Sequence, residues 1–422
     1  MLTRIAGPTS RPLLAALLLG AFVVGCGGKE TAAPAKTLAS LSRASGDDQM
    51  GAAGAALANA ISVEARDADG VPMSGVVVRF TVTGGAGALS DSTVTTGGDG
   101  RAATTWILGP DADATQTLRA TSSTIATDFS ADATTPTPGQ TYIGRNAYVE
   151  YIAGDLPIII TVPHGGSLVP AEIPDRTGSD ITTVRDSNTE ELGRTIGNVF
   201  ANRVGGRPHI IIMRLRRTKI DANRAIVEAT LGNRLAGRAW IEFHSFTEAA
   251  VEAVIDRHGT GFYIDLHGHG HAIPRLELGY LLSSGTLALP DATLDTEAVE
   301  SESSIRTLSR TSAASFPEIL RGATSLGALF EAEGFPSVPS PAAPGPGNAE
   351  YFNGGYNTDR YGSRRGGPIS GVQIESHFMG VRDSQASWER FAAALVDVMT
   401  EYLTRHGATS PAGTAAAAGA DR

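Results

Sequence analysis

Three near-continuous apolar runs constrain this chain more than any other feature: Leu156 to Val162, His209 to Leu215 and Phe262 to Leu266. A strand that exposes one face alternates apolar and polar residues. These runs do not, so each reads as a strand buried on both faces of a largely parallel sheet. Between them, Leu192, Ile196, Val199, Phe200 and Val204 recur at helical spacing, and Ser187 with Glu190 has capping-box spacing in front. Trp240, Phe243, Val251 and Val254 mark a second helix. Further on, Leu276, Leu278 and Tyr280 alternate as a strand, residues 290–301 read as a loop, and Leu326 to Gly334 is a short helix closing on glycine. Residues 336–346 are Pro-rich and irregular, and Val372 to Ser376 is another strand. Trp388, Phe391, Leu395, Val398, Met399 and Tyr402 give a terminal amphipathic helix. Strands and helices in alternation predict an open α/β domain over residues 142–406, with ligands outside the carboxyl ends of its strands.

The residues upstream have a different character. Ile61, Val63 and Ala65 alternate with Ser62, Glu64 and Arg66, and Val76, Val78, Phe80 and Val82 alternate in turn. Gly/Asp turns at 67–70 and 97–100 separate such runs, which continue through Ala102, Thr104, Trp106, Leu118 and Ala120. Short period-2 strands between turns predict an antiparallel all-β sandwich over 51–135. Asp67 and Asp69 read as a turn, with calcium binding as the competing reading. Residues 27–50 are small and polar and read as a flexible tether, 134–141 as a Pro/Thr linker, and 408–422 as a disordered tail.

Residues 1–26 read as a targeting segment. Arg4 and Arg11 precede an apolar run from Leu13 to Val24 that is too short to span a bilayer as a mature helix. The run ends in Val23-Val24-Gly25-Cys26, and Cys26 is the only cysteine among 422 residues. With one thiol the chain has no intramolecular disulfide and no cysteine-based zinc site. Any metal must be held by histidines and carboxylates. The net charge of -10, without a basic stripe, argues against nucleic acid as a partner.

Chemistry concentrates at strand ends. His267 follows the strand Phe262–Leu266, and His164 follows Leu156–Val162 with Gly165 and Gly166 to leave room beside it. Imidazole at the end of a buried strand is a rigidly held ligand for zinc, whose catalytic sites take three protein ligands. Asp186 is the expected third ligand, with Glu190 one turn on as the alternative. His269 and His271 are further candidates nearby. Glu375 interrupts an apolar strand and points away from Val372 and Ile374, beside Gln373 and His377. A buried carboxylate needs a partner, and a metal-activated water that yields its proton is one; an ion pair with Arg382 is the other. Asn223 and Arg224 close a basic stretch with Arg216, Arg217 and Lys219, which suits an anionic substrate group.

Three resemblances add to this reading. Val23–Cys26 resembles a bacterial lipobox, which implies cleavage before Cys26, acylation of its thiol and anchoring to a membrane, with the outer membrane or cell surface favoured. The stretches DADGVPMSGVVVRFTV and TGGDGRAATTW resemble a bacterial Ig-like domain of the invasin/intimin type. In the α/β domain, VPHGG, RDSNTEEL, RTKIDANR, DLHGHG, SLGALFEAEGFPSVPSP, YFNGGYNTDRYG and GVQIESH together resemble the N-formylglutamate amidohydrolase family, which is similar in plan to zinc carboxypeptidases. That resemblance implies a phosphorylase/hydrolase-like, largely parallel or mixed sheet. It implies zinc on His164, Asp186 and His267, with Asn223 and Arg224 as binders of the substrate carboxylate and Glu375 as base. It also implies a pocket shaped by Asn353, Gly354, Gly355 and Tyr356. Gly165 stands where that family has serine. The expected function is a surface-anchored zinc amidohydrolase acting on an amide bond near a free carboxylate. The runner-up is a non-catalytic surface adhesin with a degenerate hydrolase domain.

Overall fold

The computed structural model describes residues 36–407. Cys26 with its targeting segment, residues 27–35 of the expected tether and the 408–422 tail lie outside the described residues. Among the described residues no helix is long and apolar enough to cross a membrane.

The first ten strands form a sandwich. They are β1 (Ser40–Ser45), β2 (Gln49–Ala52), β3 (Ile61–Arg66), β4 (Val77–Gly84), β5 (Ala88–Leu89), β6 (Thr93–Thr95), β7 (Arg101–Thr104), β8 (Trp106–Ile107), β9 (Gln116–Ser122) and β10 (Ile125–Thr134). One sheet has the order β1-β3-β7, the other β2-β10-β9-β4-β6, and β5 pairs with β8. Ile61, Val63, Val78, Phe80, Trp106, Leu118 and Phe129 fill the space between them. Alternation puts these side chains inward and their neighbours outward, as period-2 geometry requires. The tether expected over 27–50 ends earlier than its composition suggests. Ser40–Ser45 pairs with β3, and Gln49–Ala52 with β10. These strands lie at sheet edges, where small polar residues supply backbone hydrogen bonds without needing an apolar face. The Asp67 carboxylate accepts from the backbone N–H groups of Asp69 (3.1 Å) and Val71 (2.8 Å), so it builds a turn.

Eight further strands form one mixed sheet: β11 (Thr141–Ile143), β12 (Val149–Ile152), β13 (Ile158–Val162), β14 (His209–Met213), β15 (Gly261–His269), β16 (Leu276–Gly279), β17 (Ser337–Val338) and β18 (Ile369–His377). Their order is β11-β12-β14-β13-β15-β18-β16-β17. The centre, β14-β13-β15-β18, is parallel, while β12 and β16 join it antiparallel. β13 and β14 are buried at every residue. Alternate side chains feed two cores. Ile158, Ile160, Val162, Phe262, Ile264 and Leu266 pack with Leu192, Phe200 and Leu395, which come from the helices Thr189–Val204 and Gln385–Arg405. Ile159, Ile211 and Tyr263 pack on the opposite face with Phe243 and Phe246 of the 25-residue helix Arg234–His258.

Three local expectations change. The capping box at Ser187 and Glu190 does not form: the helix starts at Thr189 behind Asn188, which sits in the left-handed region at φ 67°. Residues 290–301 hold two short helices, Asp291–Leu294 and Glu297–Glu300, whose single turns are too brief to show periodicity. β16 is buried throughout, because β17 and β18 flank it and residues 282–330 cover it in the first core.

The sandwich is docked on the helix Arg234–His258. Asp91 binds Arg234 at 2.9 Å and also Arg238, and Arg145, just inside the α/β domain, donates to Thr105. Ala55 of the sandwich packs against the second core.

Candidate metal centre

Period 2 along β15 and β18 delivers the polar residues of the site to one face of the sheet. On β15, Tyr263, Asp265, His267 and His269 follow one another on the face toward the helix Arg234–His258. On β18, Gln373, Glu375 and His377 stand in register with Asp265, His267 and His269. The first halves of both strands are buried and anchor the ends that carry the chemistry.

His164 leaves the end of β13 and reaches the same place. Its Nδ1 is 3.1 Å from His267 Nδ1, and Asp186 Oδ2 lies 3.5 Å from the first and 3.2 Å from the second. The three residues are buried, at 1%, 2% and 5% exposure for His164, His267 and Asp186. Three atoms bound to a tetrahedral zinc at about 2.0–2.1 Å stand about 3.3 Å from one another. The triangle formed here has those edges.

Each imidazole is tied at its other nitrogen. His164 Nε2 is 2.6 Å from Asp221 Oδ1, and His267 Nε2 is 2.8 Å from Asp265 Oδ2. An ionised carboxylate only accepts, so each ring donates its Nε2–H and turns Nδ1 inward. This is the arrangement by which carboxylates orient and strengthen metal-binding histidines. The aspartates are held in turn. Arg217 donates twice to Asp221 Oδ2, at 3.1 and 3.0 Å, and Thr161 Oγ1 donates to Asp265 Oδ1 at 2.7 Å. Neither Asp221 nor Asp265 was singled out from sequence. The signal was there for Asp265, two residues before His267 on the same strand face.

Charge in the site follows from this geometry. Burial alone would push the His267 imidazole down, but Asp265, Asp186 and Glu375 outweigh it and hold its pKa well above the usual histidine range. Burial would raise the Asp186 carboxyl, and the two imidazoles bring it well below its ordinary value. The metal-free site therefore keeps a proton on His267 Nδ1, and a cation that binds there displaces it.

Asp186, not Glu190, occupies the triangle. Glu190 accepts from Arg194 at 3.0 Å and lies 3.8 Å from Arg214. The loop of Asp186 is placed by its own N–H, which donates to the His164 carbonyl at 3.2 Å, and by Gly268 N–H, which donates to Oδ2 at 3.1 Å. Gly165 and Gly166 leave no empty space beside His164. A Cβ on Gly165 would fall 2.5 Å from Glu190 N, and one on Gly166 would fall 2.3 Å from the Arg214 backbone. Their smallness lets the chain pass between a helix start and the residues just after β14.

Glu375 is 5% exposed, and Gln373 Nε2 donates to its Oε1 at 2.9 Å. Its Oε2 is buried without a hydrogen-bond partner. Arg382 does not pair with it. That guanidinium donates instead to the carbonyls of Ser376 (3.1 Å), Ser187 (2.6 Å) and His269 (3.1 Å), and so clamps the Asp186 loop to the ends of β15 and β18. Burial, with Asp186 and Glu277 adding negative charge, pushes the Glu375 carboxyl up to about 8.

The residues expected to bind substrate gather at one side. Asn223 Oδ1 accepts from Asn357 N–H at 2.8 Å, and its Nδ2 lies 3.2 Å from His267 Nε2. Gly355 abuts it: a Cβ there would fall 2.5 Å from Asn223 Nδ2. Arg224 is exposed, donates to the Asn223 carbonyl at 3.4 Å and forms no ion pair among the described residues. Trp240 Nε1 donates to the Arg224 carbonyl at 2.9 Å, and the Tyr356 ring stands 6.4 Å from that indole. From sequence Trp240 marks only a helix.

No family model matches the chain, and no curated protein matches it either. Among solved structures, the N-formylglutamate amidohydrolase of Ralstonia eutropha JMP134 is similar at 14% identity over 61% of this chain and 98% of that one, with a TM-score of 0.38. A gene product of Agrobacterium tumefaciens is similar at 12% identity over 61% and 94%, with a TM-score of 0.35. The D00-D0 domain of intimin is similar at 21% identity over 22% of this chain and 44% of that one, with a TM-score of 0.17. Likenesses at these levels do not assign the chain to a family.

The raised carboxyl of Glu375 sets a pH dependence for the metal-free protein. Its ordinary value is 4.5 and its folded value about 8. The unfolded chain therefore releases this proton first as pH rises. The stabilising contribution is complete below about pH 4.5 and is lost progressively up to about pH 8. Glu375→Gln keeps a neutral side chain at every pH. In metal-free protein, the difference in Tm between Glu375→Gln and the unmodified chain is expected to widen from about pH 5 to about pH 8 and then level off. A difference that stays constant over that range would show that Glu375 is not held neutral by burial.

Proposed function

We propose that residues 142–406 form a zinc-dependent amidohydrolase that cleaves an amide bond next to a free carboxylate by metal-activated water. The observation that carries this reading is the buried triangle of His164 Nδ1, His267 Nδ1 and Asp186 Oδ2, with edges of 3.1, 3.2 and 3.5 Å. Each imidazole in it is backed by its own aspartate. Two nitrogens, one oxygen and near-tetrahedral edges suit zinc better than calcium or magnesium, which take oxygen ligands.

An ion on these three residues would supply the charge that acidifies a water and polarises an amide carbonyl. Glu375 Oε2, buried and unpaired, would take a proton from that water and return it to the leaving nitrogen. Burial holds this carboxyl neutral, and added positive charge nearby pulls it toward the ionised form, so both states are reachable near neutral pH. Arg224, exposed and without an ion pair among the described residues, and the adjacent buried Asn223 bind the substrate carboxylate. Gly355 keeps Asn223 in place by leaving it room, and Tyr356 with Trp240 walls the pocket.

The targeting segment extends the proposal to location. We read Cys26 as the lipidated residue of a lipoprotein that carries an Ig-like sandwich and the hydrolase domain at a membrane surface, with the outer membrane or cell surface favoured. Substrates outside the cell then fit best: N-acyl amino acids, γ-glutamyl polymers or the peptide tails of cell walls.

Removal of metal is expected to abolish hydrolysis of N-acyl amino acids, and zinc to restore it. Glu375→Gln is expected to keep the metal while kcat falls about 10²–10⁴-fold. A chain that binds cell-wall material but holds no stoichiometric zinc would instead be a non-catalytic adhesin. Arg224→Ala is expected to raise KM for substrates with a free carboxylate and to leave KM unchanged when that group is blocked as an amide. Equal KM values for the variant and the unmodified chain on free carboxylates would remove Arg224 from the site. For the anchor, Cys26→Ala is expected to lose all incorporation of labelled fatty acid in cells, and retained label would place the lipid elsewhere.

A further inference from the structure

Beyond His267 the same strand runs into a second group of donors that the first site does not use. His269 ends β15, His271 follows Gly270, and Glu277 lies on β16. One ligand atom from each lies within 4.8 Å of the others. Glu277 is fully buried at 0% exposure, His269 is buried, and His271 is half-buried, so the group opens on one side.

The orientation of His269 repeats that of the two histidines of the first site. His269 Nε2 lies 2.8 Å from the Arg275 carbonyl. A carbonyl only accepts, so the proton is on Nε2 and the Nδ1 lone pair is available. That atom meets only the backbone N–H of His271, at 3.2 Å, a long contact that an ion would replace. His271 Nδ1 stands 3.0 Å from Glu277 Oε1. Glu277 is itself braced, because its Oε2 accepts from Phe352 N–H at 2.8 Å. One nitrogen of His269 anchored on a carbonyl and the other holding only a 3.2 Å backbone contact, with a braced carboxylate opposite, is how histidine and carboxylate ligands are prepared for a metal.

We propose that His269, His271 and Glu277 bind a second divalent ion of the zinc, cobalt, nickel or copper class, separate from the one on His164, Asp186 and His267. Two imidazoles and one carboxylate suit borderline ions and leave out calcium and magnesium. The ion ties the turn after β15 to β16. It also braces the segment that follows Phe352, whose ring stacks on His271 at 4.5 Å and whose N–H is bound by Glu277. That segment leads directly to Gly355 and Tyr356, so the second ion stiffens one wall of the proposed substrate pocket. If His271 and Glu277 merely form a hydrogen-bonded pair, no second ion is held.

The test counts metal on the full chain. Protein stripped of metal is loaded with zinc, passed through metal-free buffer by gel filtration, and its zinc measured by mass spectrometry. Two equivalents are expected for the unmodified chain and one for His271→Gln, which keeps a side-chain donor toward Glu277. One equivalent is expected for His164→Ala, and this one is the second ion. Zinc should then raise the Tm of His164→Ala but not that of the double variant His164→Ala/His271→Gln. A single equivalent on the unmodified chain, or two on His271→Gln, would overturn the proposal. So would a His164→Ala protein that retains no zinc.

Discussion

Two imidazole nitrogens, His164 Nδ1 and His267 Nδ1, face each other across 3.1 Å in a buried part of the molecule. Each has its other nitrogen committed to an aspartate, so neither can turn away without taking a hydrogen bond from a buried carboxylate. Two lone pairs at that distance repel unless positive charge lies between or beside them. In the metal-free protein a proton on His267 provides it, shared toward Asp186 Oδ2 at 3.2 Å. A divalent ion there would provide it better, because it would satisfy both nitrogens and the carboxylate together. The surrounding structure reads as support for that need. Arg217 fixes Asp221, Thr161 fixes Asp265, and Arg382 fastens the Asp186 loop to the strand ends.

The sheet makes this possible because it is both parallel and buried at its centre. Parallel strands bring their carboxyl ends to one edge, and helices on both faces keep water away from everything behind that edge. β15 and β18 start in Phe262, Ile264, Val372 and other apolar residues, which bind them to the core. Where the helices stop covering the odd-numbered face, polar residues replace the aromatic ones, from Tyr263 to Asp265 and His267. The site is the continuation of a core face, and its rigidity comes from that continuity.

The sandwich does more than space the α/β domain from whatever precedes it. Its Asp91 holds two arginines of the helix whose Trp240 supports the Arg224 carbonyl. The helix that borders the proposed pocket is thus pinned from outside by one domain and packed from inside by the other.

Much of this was legible along the chain because the relevant signals are local. Unbroken apolar runs give buried strands, period 2 places His267 and Glu375 on the face away from Leu266 and Ile374, and a strand that ends in histidine marks a ligand held on a firm edge. Those features also separate the sandwich from the α/β domain. Partners distant in sequence were not legible. Asp221 stands 57 residues from His164, and Asp265 was passed over as part of an apolar strand although it orients its neighbour. The capping box fails where Asn188 takes a left-handed turn at the helix start, and Glu190 faces Arg214, just after β14, and Arg194 of its own helix. Residue types and periodicity, then, determined the elements and the donors they carry. Which donors meet was decided by strand order: β18 lies between β15 and β16, which sets Glu375 beside His267, and no pattern within either segment encodes that neighbour.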